Sequence, residues 1–172
     1  MKFFDVLKKV ENSEAYKNFK KQHKNSYLAA GFFVLDFEEG KHMQQIDYVT
    51  KNEIATFYVN GEIKIKLESK KEIEREIGIK EELAELKLPK KLAVDIEDIE
   101  DKAKDVIDAM ELGDRAINKI IAVLQIHNSK TIWNLTCILS GFLIVTIHID
   151  AVNGDILFNE KKDIFDIMRK LY

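Results

Sequence analysis

His148 and Asp150 stand two apart in Ile147-His148-Ile149-Asp150, so on a strand both side chains lie on one face, where they could share a hydrogen bond or pass a proton. An Asp just before a turn has a commoner use, which is to organise backbone N–H groups. The remaining histidines, His23, His42 and His127, fall on separate elements without ligand spacing, so no metal site is expected. The acidic pairs Asp95/Asp98 and Glu97/Asp101 read as the solvated face of a helix, because acid–base chemistry would need carboxylates converging in a cleft. Neither a GxGxxG nor a GK[ST] element occurs, so no nucleotide cofactor is called for, and no catalytic residue is assigned.

Cys137 is the one cysteine in the chain, which excludes an intramolecular disulfide and fits a reducing compartment. Its apolar neighbours mark it as a small buried hydrophobe, since reactive thiols want cationic, partly exposed surroundings. Met1-Lys2-Phe3-Phe4 runs straight into Asp5 without an apolar signal segment, so the expected location is the cytoplasm. With 27 basic and 30 acidic residues the net charge is −3, and the broad positive field that drives nonspecific nucleic-acid binding is missing. The local basic run Lys17, Lys20, Lys21, His23 and Lys24 reads as a solvated helix face.

Elements must position these groups, and a hydrophobic content of 46% with one Pro and seven Gly supports a packed core. Phe3, Phe4, Leu7 and Val10 recur at helical spacing, and Asn12 or Ser13 can cap a second helix carrying Ala15, Tyr16 and Phe19. Tyr27 to Leu35 reads as a buried strand in which Gly31 marks a bulge or a close contact. A turn at 38–41 leads to a second strand, and residues from Ile54 to Leu67 form a hairpin across Asn60-Gly61. Val59-Asn60-Gly61-Glu62-Ile63 is echoed by Val152-Asn153-Gly154-Asp155-Ile156, and both Asn-Gly pairs predict type I′ turns with positive φ at two residues.

Between the hairpins, Glu72 to Leu86 has the spacing of a helix broken near Gly78, and the apolar stripe from Val94 to Met110 predicts another ending at Gly113. Asp114 is read as the cap of a further helix containing Ile117, Ile120, Ile121 and Leu124. Thr131 to Ile147 carries no formally charged side chain and is near the length of a membrane span. Asn134, Thr136, Ser140, Gly141 and Thr146 interrupt it, and its β-branched residues favour two strands with a turn at Ser140-Gly141. A third strand over Asp155 to Phe158 and a closing helix from Glu160 to Leu171 complete the reading. The two Asn-Gly turns are 93 residues apart, while Tyr27 and Trp133, taken as counterparts on first strands, are 106 apart, which requires an insertion.

The ending Val145-Thr-Ile-His-Ile-Asp150-Ala-Val-Asn-Gly154-Asp-Ile-Leu157, with Trp133 on a preceding strand, resembles a PepSY-type domain. In the first half only Phe32 to Asp36, Gln45-Ile-Asp47 and Asn60-Gly61 share that pattern, so the resemblance covers about a third of the chain. It implies a small helix-on-sheet module, cystatin-like in shape, that binds a partner or restrains a peptidase, and it transfers no catalytic residue.

The expected architecture is α+β, two helix-on-antiparallel-sheet modules forming a divergent tandem repeat. Residues 1–68 make the first module, 69–93 a charged, partly helical linker, and 94–172 the PepSY-like second module. The expected function is noncatalytic binding or regulation through a protein, peptide or small ligand, with Trp133, His148 and Asp150 as candidate binding residues. The alternatives are an enzyme with a cleft between modules, using His148 and Asp150, and a membrane-tethered protein anchored by 131–149. No nucleic-acid or membrane partner is expected, and an exposed edge strand could pair across a two-fold axis to give a homodimer.

Overall fold

The computed structural model describes residues 1–77 and 83–171. In chain order the elements are α1 (Phe3–Asn12), α2 (Glu14–Gln22), β1 (Tyr27–Asp36), β2 (Met43–Val49), β3 (Glu53–Asn60), β4 (Glu62–Ser69), α3 (Lys70–Ile77), a single 3₁₀ turn (Ile96–Asp98), α4 (Ile99–Ala109), β5 (Ile117–His127), β6 (Lys130–Leu139), β7 (Leu143–Asp150), β8 (Ile156–Asp163) and α5 (Ile164–Leu171). The fold is α+β. All eight strands join one antiparallel sheet in the order β4-β3-β2-β1-β5-β6-β7-β8, so each half is a four-strand meander and the halves meet where β1 pairs with β5.

Alternation along the strands sends one set of side chains under the helices. Phe33, Phe57, Ile120, Leu124, Trp133, Leu135, Cys137 and Ile147 are buried there against Phe3, Val6 and Val10 of α1 and Ile99, Ala103 and Ile107 of α4. The helices form for local reasons. Ser13 caps α2 by accepting the Tyr16 N–H at 3.1 Å, and α1 presents Phe3, Val6, Leu7 and Val10 on one stripe. Gly31 is a close approach: a Cβ there would stand 2.5 Å from Phe3 Cε2.

The segment from Leu83 to Asp95 is extended and holds both halves. On the first, Leu83 C=O accepts from the Tyr27 hydroxyl and the Leu86 N–H donates to Leu28 C=O; on the second, Lys87 C=O accepts from Thr131 Oγ1 and the Ala93 N–H donates to Ala151 C=O. Leu86, Leu92 and Val94 drop into the shared core.

Several expectations are corrected. Residues after Asp114 form β5, not a helix: Ile120, Ala122 and Leu124 alternate with Lys119, Ile121, Val123 and Gln125, and the strand is held on both sides by β1 and β6. The helical spacing of Ile117, Ile120, Ile121 and Leu124 was a coincidence of a strand rich in apolar residues on both faces. Trp133 therefore lies on the second strand of its half. The first strands, β1 and β5, begin at Tyr27 and Ile117, 90 residues apart, close to the 93 that separate the Asn-Gly turns.

The helix placed over Glu72 to Leu86 ends, as described, with α3, and residues 83–89 are not helical; Gly78 lies outside the described residues. The closing helix starts at Ile164, because β8 continues to Asp163 in register with Leu143. Asp95 is buried, not on a solvated face. Neither Asn-Gly pair makes a type I′ turn, since Gly61 and Gly154 have positive φ but Asn60 and Asn153 do not. Two successive positive φ values occur at Asn128 and Ser129, between the paired residues His127 and Lys130.

Thr131 to Ile147 does fold back as two strands, β6 and β7, joined through Ser140 to Phe142. No helix among the described residues is long and apolar enough to cross a membrane.

Candidate functional site

The face of the sheet opposite the helices is the open one. Strand register lays a row of side chains across it: Tyr58, Gln45, Phe32, Val123, Asn134, His148 and Phe158. The neighbouring row contains Val34, Ile121, Thr136 and Thr146. Phe32, Val34, Ile121, Val123, Ile138 and Ile144 are all only partly buried, and none belongs to the core cluster under the helices. At the seam of the halves, Lys119 Nζ lies 3.0 Å from Asp36 Oδ2.

At the β8 end of this face, His127 and His148 come together with ring centroids 5.4 Å apart, and His148 lies 5.1 Å from the Phe158 ring. Their strands β5 and β7 are separated by β6, so the two imidazoles meet across Ile132, which is 1% exposed. Beside them is a cavity of about 480 Å³ lined by His127, Asn128, Lys130, Ile132, His148, Leu157 and Phe158. Burial lowers the His148 pKa below the ordinary imidazole value, and the neighbouring His127 lowers it further.

The other end of the face, at the β1–β2 loop and the β3–β4 hairpin, has a cavity of about 400 Å³. Its lining includes Lys41, His42, Tyr58, Asn60, Glu62 and Lys64. Between the cavities Asp47 and Asn134 each keep a buried Oδ1 without a hydrogen-bond partner. Burial pushes the Asp47 carboxyl up to about 6, with Glu68 adding to the rise and a hydrogen bond from Thr56 opposing it.

The three residues singled out from sequence take different positions. Trp133 is fully buried under the helices, packs edge-on to Phe33 at 5.8 Å and donates its Nε1–H to Val94 C=O at 2.8 Å, so it faces away from the open side. Asp150 Oδ1 accepts the N–H groups of Val152 and Asn153 at 2.9 and 3.2 Å, and Oδ2 lies 3.9 Å from Lys130 Nζ. His148 lines the cavity. His127, Lys130 and Phe158 were missed as site residues, although the alternation from Lys119 to Gln125 was the signal that could have put His127 at a strand end.

Burial pushes the Cys137 thiol up to about 12, which keeps it a thiol at neutral pH. On the basic run of α2, Lys20 Nζ donates to Ser26 C=O at 2.7 Å and His23 packs on Phe19. Among the described residues no three His, Cys, Asp or Glu side chains converge so as to hold a metal ion.

No known protein family matches the chain, and no curated protein does. Among solved structures, a candidate lipoprotein from Clostridium difficile 630 is similar with 13% identity and a TM-score of 0.48, over 87% of this chain and 91% of that one.

Proposed function

We propose that this is a noncatalytic binding protein that takes a small ligand or a peptide on the open face of its sheet. The observation that carries this reading is the partly buried apolar surface of Phe32, Val34, Ile121 and Val123, flanked by a cavity at each end and covered by no described helix. Cavities of this size suit small ligands, and a mostly apolar floor with a few placed polar groups is the usual composition of a binding site. The enzyme alternative is weaker, because Asp150 is already engaged by its own turn and offers His148 no free carboxylate oxygen beyond the one near Lys130. A helical anchor over 131–149 has no support, since those residues belong to β6 and β7 and the turn between them.

The two halves fit a divergent tandem repeat of PepSY-like modules, 1–68 and 94–172, joined by 69–93. Support comes from the mirrored strand order and from the 90- and 93-residue offsets of corresponding strands and turns. The unpaired outer edges of β4 and β8 leave a route to a homodimer, which sedimentation would report. A lone buried thiol agrees with a cytoplasmic setting.

Saturation-transfer NMR against a metabolite and peptide library tests the binding reading. The expected result is a saturable ligand that shifts the amides of Phe32, Val123 and Asn134 and is released unchanged. Turnover of any library member would overturn it.

A further inference from the structure

We infer that the cavity beside His127 and His148 binds a small organic carboxylate carried on an apolar body, an inference that rests on the binding reading above and specifies its ligand. The polar groups that line the cavity are two imidazoles and one ammonium, on His127, His148 and Lys130, together with Asn128. Asp150 is the nearby carboxylate, and its charge is turned to other work: Oδ1 accepts from the Val152 and Asn153 N–H groups, and Oδ2 is paired only loosely with Lys130 at 3.9 Å. A site with this donor set favours an anion over a metal cation or an amine.

The charge of that anion follows from the same count. Lys130 is the one permanent cation in the lining, and the imidazoles supply hydrogen bonds in either protonation state. A single negative charge is matched by one ammonium, whereas a phosphate dianion calls for an arginine fork or a helix N-terminus. The cavity lining contains neither.

The rest of the lining recognises the apolar body. Leu157 and Phe158 are 42% and 43% exposed on the edge strand, so an apolar group laid between them and Ile132 removes surface from water on both partners. A volume of about 480 Å³ accommodates a ring or a short chain in addition to the carboxylate. The rings of His127, His148 and Phe158 are already in mutual contact, so the wall is formed before a ligand arrives.

The test titrates the full chain with 3-phenylpropionate, its neutral amide and phenyl phosphate, following the imidazole nitrogens of His127 and His148 and the amides of Lys130 and Phe158 by NMR. The acid is expected to bind saturably at these four residues, with the amide weaker by about tenfold or more. Lys130→Gln, an exposed change, and His148→Gln should each weaken the acid, and retained dispersion of the spectrum will show that both variants are folded. Equal binding of acid and amide would overturn the carboxylate assignment while leaving the open-face binding reading in place. Tighter binding of phenyl phosphate would overturn the single-charge argument. Silence of all three probes at these residues would overturn the site, and the library experiment on Phe32, Val123 and Asn134 would still decide the binding reading separately.

Discussion

The Phe3 N–H donates to Asp95 Oδ1 at 2.7 Å across 92 positions of sequence, so the first helix of one half is capped by the residue that opens the helical segment of the other. The same oxygen accepts the Ile96 N–H at 2.8 Å, and the Asp95 N–H donates in return to Asp98 Oδ2 at 2.8 Å. One buried carboxylate thus satisfies two helix N-termini, where backbone donors have no partner inside the helix and the dipole favours a negative charge.

Replacing Asp95 with Ala should therefore cost more than an ordinary cap. Two buried N–H groups lose their acceptor, and the expected loss is about 2 to 4 kcal/mol. Asp95→Asn keeps one carbonyl oxygen and should recover part of it. Urea unfolding midpoints measure the series, and an unchanged midpoint for the Ala variant would show that the cap does not join the halves.

Gly31 is required by space. Because a methyl group there would meet Phe3 Cε2 at 2.5 Å and Phe33 Cε2 at 3.0 Å, both on fully packed rings, Gly31→Ala should destabilise by about 1 to 3 kcal/mol. Phe3→Leu in the same chain should relieve part of that loss. Purely additive effects in the double-mutant cycle would deny the contact.

Trp133→Phe removes the Nε1–H donor to Val94 C=O and part of the ring in a site with no exposure. A stability loss of about 2 to 3 kcal/mol is expected, from the unpaired carbonyl and the residual cavity. Ligand binding at the open face should survive, because Trp133 lies under the helices. A variant that is stable yet unable to bind would place Trp133 in recognition after all.

Asp47 makes stability depend on pH. Its folded pKa of about 6 lies above the model value of 3.8, so the folded state holds the proton more tightly than the unfolded chain does. Its contribution is full below about pH 4 and is lost as pH rises through about 6, a change of roughly 2 to 3 kcal/mol. The difference between the native chain and Asp47→Asn, followed by urea unfolding across that range, should show this slope. Parallel pH profiles for the two proteins would refute it.

Local patterning carried much of the fold. The alternation of Ile63, Ile65 and Leu67 with Lys64, Lys66 and Glu68, the helical stripe of α1, the Ser13 cap and the break of the uncharged stretch at Ser140-Gly141 were all legible, because each depends on neighbours a few residues away. β5 was not. Its inner face is apolar and its outer face carries Ile121 and Val123 in the middle of the sheet, so both periodicities fit, and only pairing with β1 and β6 decides between them. With β5 misread, the meeting of β1 and β5 and the correct offset of the halves were out of reach.

The amino-acid order by itself determined an α+β chain with a core, a buried inert thiol and hairpins in both halves, since propensity, alternation and turn chemistry are short-range properties. Tertiary structure alone decided that the halves share one sheet, that Asp95 caps Phe3 and that His127 meets His148 over Ile132. Those contacts join residues from 16 to 92 positions apart through strand order and register, which are set by the packing of the whole sheet and leave no periodic trace in the chain.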